Sequence, residues 1–263
     1  MTEYEHLEVS KENGVATVTL DRPDSRNALS GELIRELTGC IDEMAAREDV
    51  RVVVLTGGGD SFCAGADIDY MRQTAGFSYE ENLADAGRLA ALFESIAECP
   101  KPVVTRVKGA AIGGGVGLVA ASDVSVAEEG SIFAFSEVRL GISPATIAPF
   151  VLRKIGHSHV RSLFLTGERF GARRAREIGL VHEVAPEGEL DELVQKKVGQ
   201  ILAGGPEALA STKRLLKELA DAAPQEVTEI TAARIARLRT GEEGQEGLTA
   251  FLEKRKPRWT GER

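Results

Sequence analysis

Apolar and polar residues alternate from Tyr4 to Leu20, with one interruption at Glu12-Asn13-Gly14. A period of two predicts paired strands, and Asn13-Gly14 supplies the positive φ angles that a tight hairpin turn needs. The period then changes. In "GELIRELTGCIDEMAARED", residues 31–49, Leu33, Ile34, Leu37, Ile41 and Met44 recur at helical spacing, and Ser30 stands where an N-cap belongs. The β-branched run "VRVVVLTG", residues 50–57, predicts a buried strand. The same order returns with a helix over Tyr79–Glu98, a strand in "KPVVTRVKG", a glycine cluster, a short apolar helix and a strand in "DVSVAEE". Strand, loop and helix recur without any sequence repeat, which predicts an α/β fold.

After Val184 the pattern is helical only. "ELDELVQKKVGQILAG", "PEALASTKRLLKELADA", "PQEVTEITAARIARLRT" and "EGQEGLTAFLEKRK" are four helix-period segments separated by Gly or Pro. Their apolar stripes have no strands of their own to cover, so they are expected to pack on the main body or on another subunit. The chain therefore divides into a core region, 1–190, and a helical region, 191–263, with no low-complexity linker between them.

Composition narrows the class. The 263 residues are 43% hydrophobic and 28% charged, as in ordinary globular proteins, and are long enough for one large core with an appendage. The formal charge of -9 argues against nucleic acid or an anionic membrane surface as partner. Cys40, Cys63 and Cys99 form no CxxC pair, so neither a zinc site nor a disulfide framework is expected, and a reducing cytoplasm fits best. "MTEYEHLEVS" is not a secretory signal, and no apolar run has membrane-spanning length. His157 and His159 lack companions for a metal site.

Candidate chemistry lies in two small-residue stretches that each follow a strand and lead into a helix. In "SFCAGADIDY", residues 61–70, Gly65 allows a permissive turn and Asp67 is placed to cap the next helix. In "VKGAAIGGGVGLVAASD", Gly113, Gly114 and Gly115 open a helix. These glycines either permit close helix packing or leave amides bare for a negative charge. The dinucleotide fingerprint GxGxxG fails because Leu118 stands in its last place, and no P-loop lysine is present. Taken together, the two junctions can each aim one N–H at the same atom, the geometry of an oxyanion hole. Glu137, in the Gly- and Pro-punctuated "FAFSEVRLGISP", is the candidate carboxylate beside it. Cys63 has no His neighbour in sequence and reads as a small buried residue.

In "VTLDRPDSRNALS", "FCAGADI", "KGAAIGGGVGL", "SEVRLGISP", "LTGERFGARRAREIGLVHEV" and "EGQEGLTAFLEKRKPRW" the sequence resembles the enoyl-CoA hydratase/isomerase family, the crotonase superfamily, over nearly its whole length. The resemblance implies a spiral of repeated ββα units with a C-terminal helical trimerisation region. It implies a homotrimer, or a hexamer made of two trimers. It implies an acyl-CoA substrate, with coenzyme A as part of the thioester and no separate cofactor. Ala66 and Gly114 match the two amide donors to the thioester oxygen, and the Ala64 carbonyl matches the adenine contact. Arg26, Ala28, Asp67 and Ile68 match positions in or beside the CoA groove, and Lys254 matches a residue reaching CoA phosphate from a neighbouring subunit. Glu137 matches the second of two catalytic glutamates, whereas the first falls on Gly117.

The implied activity is an enoyl-CoA hydratase-like lyase working through an enolate. Isomerisation, decarboxylation, thioester hydrolysis or a catalytically weak CoA binder are the alternatives that Gly117 keeps open. "GGGVGLVAASD" with "SEVRLGISPATIAPFVLRKIG" looks like bacterial hydratases of branched glutaconyl-type substrates. RNA binding, found in some relatives with a lysine-rich helix, is disfavoured because residues 79–99 carry only Arg88 as a cation.

Overall fold

The computed structural model describes residues 3–260; Met1, Thr2 and residues 261–263, at the outer limits of the two predicted regions, lie outside it. β1 (Leu7–Glu12) and β2 (Val15–Leu20) form the expected hairpin, and Asn13 and Gly14 take φ values of 51° and 80°. α1 (Gly31–Ala46) begins on Ser30, whose hydroxyl accepts the Leu33 N–H. It ends three residues before the predicted limit, because Arg47 turns extended and pairs with Asp49 instead. β3 (Val52–Gly57) returns parallel to β2. α2 (Ile68–Thr74) is the helix that Asp67 is placed to cap, and Asp67 does so by accepting the Asp69 and Tyr70 amides.

α3 (Tyr79–Glu98) carries a full capping box between Ser78 and Glu81. The run "KPVVTRVKG" splits into β4 (Val103–Val107) and, past Gly109, β5 (Ala110–Ile112). Gly109 has φ 68°, and a Cβ there would lie 1.9 Å from the Asp60 carbonyl oxygen. Only glycine makes that corner. α4 (Gly114–Ala121), β6 (Val124–Glu128), β7 (Ile132–Ala134), α5 (Ala148–Thr166), β8 (Arg169–Gly171), α6 (Ala172–Glu177) and β9 (Glu183–Ala185) follow.

These strands form two layers. One sheet has the order β1-β2-β3-β4-β6-β9, parallel beyond the hairpin, and the other has the order β5-β7-β8. Single bridges, Leu29 to Ala66 and Cys63 to Ala111, extend the smaller layer toward the earlier loops. Each circuit of the chain thus leaves a strand in the large sheet, a short piece in the small layer and then a helix. That is the ββα spiral predicted above.

The main core lies between the layers and the helices α1, α3, α4 and α5, with Phe62, Phe93, Phe133 and Phe135 fully buried. A second core forms on the other sheet face, where α7 (Leu190–Leu202) lays Leu190, Val194 and Val198 against Val52, Val54, Val104 and Val126. α8 (Pro206–Asp221), α9 (Val227–Thr240) and α10 (Glu242–Leu252) gather beyond it. Arg51, at the start of β3, ties them down by donating to the carbonyls of Gly204 and Trp259. Phe251 and Leu252 stay 81% and 78% exposed on this region. No helix among the described residues is long and apolar enough to cross a membrane.

Candidate active site

The C-terminal ends of β3 and β4 deliver the two small-residue stretches to one place, as parallel sheets do with their binding loops. A side chain that was not anticipated organises the first stretch. Asn27, fully buried with φ 57°, accepts the Arg22 N–H and donates to the carbonyls of Gly58 and Ser61 at 2.9 and 2.8 Å. Its place just after a 3-10 turn was the available signal, since Asn tolerates left-handed backbone and bonds locally.

Residues 63–67 are then held from two sides. Cys63 donates to Ala110 O and accepts from Ile112 N, while Ala64 donates to Arg26 O. Leu29 N–H donates to Gly65 O at 2.7 Å, and Asp67 N–H donates to Leu29 O at 3.0 Å. Because the peptide linking Gly65 and Ala66 is trans, the Ala66 N–H points opposite to the Gly65 carbonyl, away from Leu29.

The second stretch meets the first along a close seam. A Cβ on Gly65 would lie 3.0 Å from Ile112 O, and one on Gly115 would lie 2.3 Å from Cys63 O. Gly113 donates to Ala134 O and accepts from Gly117 N, so its carbonyl runs up α4 and the Gly114 N–H leaves the helix at its start. Among the described residues, neither the Ala66 nor the Gly114 N–H donates to a backbone carbonyl. Two unengaged amides therefore flank one seam, one of them at the positive end of a buried helix.

Glu137 opens the 3-10 turn 137–140 that follows β7. Its carboxylate lies over Gly113, with Oε1 3.1 Å from where a Cβ on that glycine would be. Oε2 is buried and has no hydrogen-bond partner among the described residues. Burial pushes this carboxyl above its usual range, against a bond from its own backbone amide that favours the charged form. At Gly117 the space is taken. A Cβ there would lie 2.4 Å from Ile147 Cγ2 and 2.7 Å from the Phe93 ring. Apolar side chains fill the position where the family's first glutamate would project.

The remaining predicted residues separate. Ala28 is buried, Arg26 is exposed with φ 54° and accepts the Ala64 N–H, and Ile68 is 63% exposed at the start of α2. Asp67 is nine-tenths buried and already committed, capping α2 and pairing with Arg22 at 3.0 Å. The structure thus gives Asp67 a framework role at the edge of the first stretch, with both carboxylate oxygens engaged. Lys254 is exposed beyond α10. That end of the chain is bound at Arg51, and β3 separates Arg51 from the loops by about 20 Å. Cys63 is fully buried, and burial pushes its thiol up to about 12, which removes it as a nucleophile. No cluster of three metal-ligating side chains occurs among the described residues.

Comparison with known proteins identifies the family and the fold. The family model for enoyl-CoA hydratase/isomerase matches residues 10–262. A putative enoyl-CoA hydratase of Thermus thermophilus is 35% identical, covering 93% of this chain and 97% of its own. Among solved structures, an enoyl-CoA hydratase from Shewanella pealeana superposes with a TM-score of 0.95 at 40% identity, covering 98% of this chain and 97% of that one. Pseudomonas aeruginosa AtuE gives a TM-score of 0.94 at 36% identity, covering 98% of this chain and 100% of that one. With its two-layered spiral, its paired loop amides and a match over nearly its full length, the chain belongs to the enoyl-CoA hydratase/isomerase family.

Proposed function

We propose that this protein is an enoyl-CoA hydratase-type carbon-oxygen lyase in which Glu137 is the sole acid/base and the Ala66 and Gly114 amides hold the thioester oxygen. The observation that carries the reading is the unpartnered Glu137 Oε2, buried beside two amides that no backbone carbonyl uses. Water attacks C3 of the enoyl thioester as Glu137 takes its proton. The π electrons move toward C1, and the thioester oxygen becomes an enolate oxyanion, the charge that preorganised N–H donors stabilise. The pair then returns to C2, which takes the proton back from Glu137. Both the H and the OH added come from one water, since no second carboxylate fits beside Gly117.

Arg26, Ala28, Ala64 and Ile68 border the groove for coenzyme A, and Lys254 reaches it only from a neighbouring subunit. A homotrimer or a dimer of trimers, in the cytoplasm, completes the reading; the exposed Phe251 and Leu252 support the assembly. The sequence likeness of "GGGVGLVAASD" with "SEVRLGISPATIAPFVLRKIG" to bacterial hydratases of branched glutaconyl-type substrates supports a substrate of that class.

Gly117 also favours a second reading, in which the same enolate leads to isomerisation, decarboxylation or thioester hydrolysis. Turnover of a panel of enoyl-CoA and 3-hydroxyacyl-CoA thioesters, with products identified, separates the two. A 3-hydroxyacyl product supports hydration; a shifted double bond, carbon dioxide or free coenzyme A in its place overturns it.

A further inference from the structure

One face of α5 carries Ile147, Phe150 and Val151 toward α4 and α3; Phe150 packs on Phe93 with ring centroids 5.9 Å apart. The next residue on that apolar stripe is Lys154. Its Nζ donates to the carbonyls of Val119, in the last turn of α4, at 3.0 Å and of Ser122, the residue that caps it, at 2.6 Å, and lies 3.5 Å from Ser125 Oγ. The same helix, about 12 Å long for its eight residues, presents the Gly114 N–H at its other end.

We propose that Lys154 is a positioning residue for the oxyanion hole, acting through α4: its ammonium pins the carbonyl end of the helix and so fixes the amide at the opposite end. The inference rests on the reading of Ala66 and Gly114 as the oxygen-binding donors. α4 is buried along Gly115–Ala121, and Ser122 Oγ and Ser125 Oγ also donate to its Leu118 and Val119 carbonyls, so Lys154 supplies the charged member of the hydrogen-bond set at its carbonyl end. Three of its eight residues are glycine, and no charged side chain extends from it. Its first turn is anchored by Gly113 on Ala134 O, and its last by Lys154. A cation at the carbonyl end also reinforces the helix dipole, whose positive end faces the developing oxyanion.

Three polar groups face the ammonium from the surrounding elements. Ser125 does so from β6, Asp123 from the turn before it, and His182 from the segment before β9, with its Nδ1 accepting the Ser125 N–H. Burial lowers the Lys154 pKa to about 8, with Asp123 opposing. The clamp is charged below that pH and neutral above it.

The test uses a conjugated aryl-enoyl-CoA thioester whose absorption moves to the red when its carbonyl oxygen is polarised. Wild type is expected to shift the band, and the shift should shrink as pH rises through about 8. Lys154→Met should bind the probe normally but show a smaller, pH-independent shift. Its kcat should fall about tenfold with KM little changed, and Lys154→Arg should recover part of both. If Lys154→Met does not fold, the wild-type band titration and Lys154→Arg decide. A wild-type shift that ignores pH, or a full shift in folded Lys154→Met, overturns the role of Lys154. A wild type that never shifts the band overturns the oxyanion reading and this inference with it.

Discussion

The two halves of the candidate site are made of different material. The half proposed to bind the oxygen consists of backbone: the amides of Ala66 and Gly114, in stretches held by bonds to Leu29, Ala110 and Ala134 in distant segments. The proposed acid/base half consists of side chains: one carboxylate, Glu137, lies over Gly113, while Phe93 and Ile147 close the space at Gly117. A backbone half survives most substitutions because the fold supplies it. A side-chain half changes its chemistry with a single residue.

The largest effect should come from the side-chain half. Glu137→Gln keeps shape and removes the titrating proton, so water addition should fall about 10² to 10⁴-fold with CoA-thioester binding retained. Steady-state assays on the best substrate of the panel check this. Near-native turnover would assign the proton chemistry elsewhere.

Next is the attempt to restore the second carboxylate. Gly117→Glu places a Cβ within 2.4 Å of Ile147 and a charge among apolar side chains. It should cost about 3 kcal/mol or more and bring no gain in hydration. Denaturant unfolding measures the cost. Pairing it with Ile147→Gly should recover stability, and a single variant as stable as wild type would show that the closure is soft.

Within the backbone half, Asn27→Ala should destabilise by about 1 to 3 kcal/mol, since it strands the carbonyls of Gly58 and Ser61 and loses a residue suited to positive φ. Activity per folded molecule should drop with it as residues 63–67 loosen. A loss of activity without any loss of stability would contradict this framework role.

The smallest effects are in pH. Glu137 sits above its ordinary range because of burial, so its carboxylate forms only at higher pH and the acid limb of hydration should be displaced upward. The folded state holds that proton more tightly than the unfolded one, so its contribution to stability declines as pH rises between the two pKa values. Asp67 has the opposite sign. Burial raises it, but the Tyr70 amide and Arg22 outweigh that and hold it below its ordinary range. Its contribution is present above the unfolded carboxylate pKa and lost as pH falls through the lowered one. Thermal melts of Glu137→Gln and Asp67→Asn against pH should therefore diverge from wild type in opposite pH directions.

Periodicity and turn chemistry made much of the framework legible: the Asn13-Gly14 hairpin, α1 on Ser30, β3 and α3 are local consequences of local residues. The motif resemblance carried the spiral and the candidate donors, since Ala66, Gly114 and Glu137 lie in short stretches whose order is distinctive. Other features exist only as contacts between distant segments. Nothing near Asp67 in sequence announces Arg22, and nothing near Gly117 announces Phe93 and Ile147. The short strands β5, β7 and β8 are too brief for a period and are defined by one another. Lys154 reads as one more surface cation until α5 is laid on α4. The sequence by itself determined the longer strands and helices and which residue types stand at the loops, because hydrophobic period and backbone preference act over a few residues. Tertiary structure alone decided which amides stay unengaged, which carboxylate is buried without a partner and which cation holds a helix end, because hydrogen bonding and desolvation depend on what the folded chain brings alongside.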